Sequence, residues 1–217
     1  GMERSWDIPL LEGYDHEFVT NTSGKPDSNR FWGVINPGLI KQLKAEQFDA
    51  ILVYRWSLYS HLRVLRSFGG RPALFFRGDS HLLHQQNGWK GVVKKWLLRW
   101  VYGNVDKALY VGEHNKAYYR HYGFTAEQLL YAPHAVDNDR FSRDADQWEA
   151  KAVAEREQLS LPQNCVVFLY AGKFYEVKQL QLLVAAFQQL KGDQYRLLLV
   201  GNGEQEDLLK AFAKGDD

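Results

Sequence analysis

Val166-Val167-Phe168-Leu169-Tyr170-Ala171 is a continuous apolar run that passes into Gly172-Lys173-Phe174-Tyr175-Glu176-Val177-Lys178-Gln179 and then into Leu180, Leu183, Val184, Phe187 and Leu190 at helical spacing. A buried strand, a glycine turn and an amphipathic helix are one step of an alternating α/β chain. A second step follows, from Arg196–Val200 through Gly201-Asn202-Gly203-Glu204 into another helical pattern. Working back toward the N-terminus, apolar runs recur at 48–54, 72–76, 107–111 and 129–132, separated by helix-length segments. This alternation predicts parallel sheets covered by helices, and the largely continuous apolar character of the runs predicts strands buried on both faces.

Between the runs, Asn36-Pro37-Gly38-Leu39-Ile40 reads as a helix with Pro37 in its first position and Asn36 as its cap. A second helix spans Trp89 to Tyr102, with Val93, Trp96, Leu97, Trp100 and Val101 on one face. Residues 1–35 carry mixed signals, and Thr22-Ser23-Gly24-Lys25-Pro26-Asp27-Ser28 reads as a surface loop. A polar, helix-prone stretch from Asn138 to Gln163 marks an interdomain connection. The expected division is residues 1–140 as one Rossmann-like domain and 141–217 as the start of a second. That second domain stops at Gly215-Asp216-Asp217, before a third strand encloses its sheet.

The composition narrows the function classes. With 217 residues and 45% hydrophobic side chains, the chain has enough apolar material for a sizeable core. Twenty-seven Lys and Arg against 26 Asp and Glu leave a net charge of +1, which argues against a nucleic-acid partner, so any basic site has to be local. Cys165 is single and sits beside an apolar run, which reads as burial rather than nucleophilic or metal chemistry. The N-terminus lacks a leader pattern, and no run reaches the roughly 18 apolar residues of a membrane span, so a cytoplasmic protein is expected. Gly1 ahead of Met2 reads as an expression remnant.

In open parallel sheets, ligands bind outside the carboxyl ends of the strands. Here those exits are Arg55-Trp56-Ser57, Arg77-Gly78-Asp79-Ser80-His81, Gly112-Glu113-His114-Asn115, His134 after Pro133, Gly172-Lys173 and Gly201-Asn202-Gly203-Glu204. Taken one at a time, each is also an ordinary turn. Gly172 to Lys178 is the strongest, because it sets two lysines at a helix N-terminus, where free N–H groups and the helix dipole suit a diphosphate. A solvated Lys178 is the alternative at that position. Gly201-Asn202-Gly203 falls short of the dinucleotide fingerprint, and neither turn ends in the Gly-Lys-Ser/Thr of the triphosphatase loop.

In their order along the chain these stretches resemble the retaining glycosyltransferases of family four, with the GT-B architecture of two facing Rossmann-like domains. Leu109 to Gly123, Pro133-His134-Ala135-Val136-Asp137 to Arg140-Phe141, Gly172 to Leu190 and Leu199 to Glu204 carry the likeness, which is good over 107–212 and looser over 36–106. The fold it implies is α/β and GT-B-like, with the second parallel-sheet domain incomplete. The activity it implies is hexosyl transfer from a nucleoside diphosphate sugar to an acceptor hydroxyl with retention, in polysaccharide, glycolipid or glycoconjugate biosynthesis. The resemblance assigns the donor diphosphate to Gly172, Lys173 and Lys178, and a donor-binding turn to Gly201, Asn202, Gly203 and Glu204, with no metal and no cofactor beyond the donor. Asp79, His81 and His114 are the candidate catalytic residues on the acceptor side, with surface turns as the plainer reading.

Several positions depart from the family pattern. Lys173 stands where arginine is commoner, keeping the charge without the bidentate fork. His134-Ala135 stands where Asn-Gly is usual, the family's paired glutamates would lie past residue 217, and its glycine-rich N-terminal loop has no counterpart. The chain alone is therefore expected to be inactive. The alternative function is a non-catalytic nucleotide-binding or interaction module that kept the fold.

The expected partners are the donor and a carbohydrate or lipid-linked acceptor. Residues 89–102 set Lys90, Lys94, Lys95 and Arg99 beside Trp89, Trp96 and Trp100, which suits peripheral contact with the inner face of an anionic membrane. The preferred reading of the same pattern is that these tryptophans face the core.

Overall fold

The computed structural model describes residues 10–83, 88–162 and 164–213. Gly1-Met2, Gln163 and the end of the chain at Gly215-Asp216-Asp217 lie outside the described residues. The chain divides into two compact units, Gly1–Val136 and Asp137–Asp217.

The first unit is built on a four-stranded parallel sheet of β1 (Ala50–Tyr54), β2 (Ala73–Arg77), β3 (Lys107–Tyr110) and β4 (Leu129–Tyr131), whose spatial order is their sequence order. Helix α1 (Leu39–Ala45) precedes β1, and α2 (Tyr59–Ser67), α3 (Trp89–Tyr102) and α4 (Glu113–His121) lie in the connections between successive strands. The second unit holds α5 (Asn138–Ser142), α6 (Ala145–Gln158), β5 (Val166–Ala171), α7 (Leu180–Phe187), β6 (Tyr195–Val200) and α8 (Glu206–Ala213). Its two strands pair in parallel from Val166–Tyr195 to Ala171–Val200. This is the α/β architecture that the alternation predicts, and it is consistent with the partial GT-B fold that the resemblance implies.

The core of the first unit lies on one face of the sheet. Ile51, Val53, Leu74, Phe76 and Ala108 point into it and meet Val64 and Leu65 from α2, Leu98 and Val101 from α3, and Tyr118 and Tyr119 from α4. On β1 the opposite side chains, Leu52 and Tyr54, are exposed, and those of β2 are half-buried. The expectation of strands buried on both faces is therefore corrected: β1 alternates exposed and buried. In β5, Val166, Phe168 and Leu169 are exposed as well. In β5 the exposed Phe168 and Leu169 are adjacent and so lie on opposite faces, which means that among the described residues neither face of this strand is fully covered.

Three helix expectations also change. The first helix begins at Leu39 rather than Pro37, because Pro37 and Gly38 form a turn in which the Leu39 N–H donates to the Asn36 carbonyl (3.2 Å). On α3 the buried stripe is Leu98, Val101 and Tyr102, while Trp89, Val92, Val93, Trp96, Leu97 and Trp100 face outward, Trp96 at 70% exposure. Apolar residues occur on both sides of this helix, so periodicity alone does not pick the core side. The tryptophan face is not the core face. α7 ends at Phe187 in three-residue turns, which leaves Leu190 outside the helix and exposed.

The polar stretch after residue 137 is helical. Asp144, in the left-handed region at φ 59°, separates α5 from α6, and α6 has no buried residue. The Arg156 guanidinium donates to the Cys165 carbonyl (2.9 Å), tying α6 to the start of β5 beside the buried cysteine.

Candidate functional site

The carboxyl ends of β1 and β2 open into a small cavity of about 110 Å³. Arg55, Trp56 and Ser57 form one wall, Gly78, Asp79 and Ser80 another, and Tyr102, Tyr118 and Tyr119 complete it with Phe76. Arg55 takes a left-handed backbone (φ 62°) as its N–H donates to the Arg77 carbonyl (3.1 Å), so the chain bends sharply where β1 ends. Residues other than glycine enter that region rarely, and more often at functional turns than elsewhere.

Two side chains of α4 hold the loop after β2. The Tyr119 hydroxyl donates to the Gly78 carbonyl (3.0 Å), and burial pushes its pKa up to about 12, so it stays a donor through the neutral range. Asn115, buried, uses both ends of its amide: Oδ1 accepts from the Val111 N–H (3.1 Å) and Nδ2 donates to the Ser80 carbonyl (2.8 Å). One side chain thus joins the exits of β2 and β3. Asn115 stands in one of the exits, but the local sequence singles out neither residue for this role, since the partners they hold across the fold, the Ser80 and Gly78 carbonyls, are 35 and 41 residues away.

Of the three acceptor-side candidates, Asp79 lines this cavity and is exposed to solvent. His81 lies two residues further along the loop, where its Nδ1 accepts from the Leu83 N–H (3.3 Å). His114 is exposed in the first turn of α4. Neither histidine forms part of the cavity wall.

In the second unit the two glycine turns interlock. The Gly172 N–H donates to the Val200 carbonyl (2.9 Å), the Phe174 N–H to the Asn202 carbonyl (2.9 Å), and the Gln205 N–H back to the Phe174 carbonyl (3.0 Å). A Cβ on Gly201 would lie 1.8 Å from the Gly172 carbonyl oxygen, and one on Gly203 would lie 2.7 Å from that of Phe174. The glycines let two backbones touch where side chains would hold them apart. The turns then exchange side-chain contacts: Lys173 Nζ donates to Asn202 Oδ1 (2.7 Å), and Glu204 Oε1 accepts from the Glu176 N–H (3.2 Å). Lys173 is exposed, and the partner in this contact is a neutral amide, so the pairing leaves the ammonium charge uncompensated.

Lys178 does not sit in the first turn of the following helix. Glu176–Lys178 is a separate 3-10 turn, and Gln179, left-handed at φ 53°, breaks the path before α7 starts at Leu180. An α-helix cannot run through a left-handed residue. Lys178 therefore precedes the free N–H groups of α7, and its side chain is exposed. Lys173, Lys178, the α7 N-terminus and the Gly201–Glu204 turn all lie beyond the carboxyl ends of β5 and β6.

The Glycosyltransferase Family 4 model matches residues 5–140, and the Glycosyl transferases group 1 model matches residues 153–215. The chain is also similar to the putative colanic acid biosynthesis glycosyl transferase WcaI of Escherichia coli (strain K12), with 30% identity over 92 residues. That alignment covers 42% of this chain and 22% of the relative.

Proposed function

The chain belongs to Glycosyltransferase Family 4, and on that premise we propose that it serves the transfer of a hexosyl group from a nucleoside diphosphate sugar to an acceptor hydroxyl, with retention at the anomeric carbon. The interlocked Gly172 and Gly201 turns carry this reading, because they fix the backbone from which Lys173 projects beyond the carboxyl ends of β5 and β6. When the glycosidic bond to the donor breaks, negative charge builds on the departing diphosphate. Lys173, Lys178 and the first N–H groups of α7 offset that charge with little reorganisation. On the acceptor side, Asp79 is the carboxylate placed to orient a hydroxyl in the cavity at the ends of β1 and β2. Polysaccharide biosynthesis is the setting suggested by the name of the similar protein.

Calorimetric titration with UDP, GDP and ADP, without added metal, tests the donor site. One nucleotide is expected to bind, and the Lys173→Ala, Lys178→Ala double variant is expected to weaken it by roughly a hundredfold, the order of two charge-assisted hydrogen bonds. A double variant that binds as tightly as the native chain would remove the diphosphate from the Gly172 turn.

The outward tryptophans of α3 support a membrane-associated acceptor. Trp89, Trp96 and Trp100 share the helix surface with Lys90, Lys94, Lys95 and Arg99, a combination suited to the headgroup region of an anionic bilayer. Among the described residues no helix is long and apolar enough to cross a membrane. The chain is expected to sediment with phosphatidylglycerol vesicles and to stay in the supernatant with phosphatidylcholine. Trp96→Ala with Trp100→Ala should abolish sedimentation, and retention of binding in that variant would clear α3 of the role.

A further inference from the structure

Trp32 stands apart from the tryptophans of α3. It is 61% exposed, yet its ring is fixed: Phe31 meets it edge-on at 4.9 Å and 85°, and the Tyr59 ring lies against it at 4.8 Å and 34°. The backbone beneath it is equally constrained. The Trp32 carbonyl accepts from Ser23 Oγ (2.7 Å), and a Cβ on the neighbouring Gly33 would fall 1.8 Å from the Asp27 carbonyl oxygen, so the 3-10 turn Phe31–Gly33 is packed against its own loop. Ser60 at the start of α2 ties down the following residues, as its hydroxyl donates to the Val34 carbonyl (3.1 Å) and accepts from the Asn36 N–H (2.8 Å). Tyr59 opens α2 directly after the exit of β1, which places the aromatic group at the carboxyl end of the first sheet, the end that holds the Asp79 cavity.

We propose that Trp32, backed by Tyr59 and Phe31, is a stacking platform for a pyranose ring of the carbohydrate acceptor. A sugar ring has an apolar C–H face and a rim of hydroxyls, so it suits a flat aromatic surface surrounded by polar groups. Trp32 has such surroundings. Its loop carries Ser23, Asp27, Asn29 and Arg30, and the Arg63 guanidinium lies 5.9 Å from the Tyr59 ring. Because the ring is fixed before any ligand arrives, binding loses little side-chain entropy. The role as an acceptor subsite rests on the glycosyltransferase reading above, whereas sugar binding by Trp32 does not.

Fluorine NMR of the chain labelled with fluorotryptophan tests the platform, the Trp32 resonance being the one missing from Trp32→Phe. On titration with methyl glucoside and methyl galactoside, the Trp32 signal is expected to move saturably while those of Trp96 and Trp100 stay still, and glycerol is expected to move none. Trp32→Ala, with its remaining resonances in place as the control for folding, should weaken glycoside binding about tenfold when followed on the ligand signals. A stationary Trp32 resonance, an equal response to glycerol, or a response to uridine but not to the glycosides would overturn the proposal. If the diphosphate titration fails while Trp32 still responds, the donor reading falls and the platform stands. The reverse pair of results removes the platform alone.

Discussion

Gly201→Ala is expected to unfold the second unit and leave the first folded. The added methyl group would meet the carbonyl of Gly172 at 1.8 Å and the Phe174 ring at 3.1 Å, and the nearer atom is backbone that no rotamer change can move aside. Overpacking against side chains costs about 1–3 kcal/mol, and against fixed backbone at least about 3 kcal/mol, a large share of what a small unit has to spare. The damage stays local because the core of Phe174, Leu180, Val184 and Leu209 shares no residue with that of the first unit. Amide exchange should therefore show protection lost across β5 and β6 and kept across β1 to β3. Gly38→Ala is the matched control, since nothing lies within 4 Å of a Cβ there, and it should be neutral. Native protection in β5 of the Gly201→Ala chain would mean that the two turns do not interlock in solution.

Asn115→Leu carries the second large effect, this time in the first unit. Leucine has the same branched four-atom skeleton as asparagine but neither donates nor accepts, so with Asn115 buried the Val111 N–H and the Ser80 carbonyl both lose a partly buried partner. At about 1–3 kcal/mol for each of the two unsatisfied groups, the expected cost is about 2–6 kcal/mol. That lowers the melting temperature of the unit by about 10 °C or more. The loop Gly78–His81 should loosen beyond the loss of stability, visible as faster exchange at Ser80 than at the strand amides. A melting temperature within about 2 °C of the native value would show that the bridge contributes nothing.

The contrast between these two residues shows what was legible in the sequence. Gly201 stood out as a glycine turn between strand and helix, and the alternation around it gave the parallel sheets directly. Its partner across the turn, the Gly172 carbonyl, is an accident of three-dimensional approach that no local pattern encodes. Asn115 closes the exit Gly112-Glu113-His114-Asn115, a position the sequence marks for inspection, but its value comes from two backbone groups, one of them 35 residues away. Gln179 is similar: nothing in Lys178-Gln179-Leu180 signals a left-handed residue, so a helix start was placed ahead of Lys178 when it lies after it. On α3 the helix itself was plain, but apolar residues on both sides left its inward face to be decided by the sheet it packs on. The acceptor-side candidates were found by their position at strand exits, and only Asp79 of the three lines the cavity there.

The arrangement of β1 to β4 bears on how the protein is made. Each strand lies beside the one translated just before it, with a single helix or helical segment between the two. A nascent chain leaving the ribosome N-terminus first can therefore add strands to one growing edge in the order of synthesis, with no need to hold a place open for a later segment. Every pairing step closes a loop of moderate length, which keeps its entropic cost low. Assembly of this sheet can keep pace with translation, and the edge left waiting at any moment is the one that the next strand to emerge will cover.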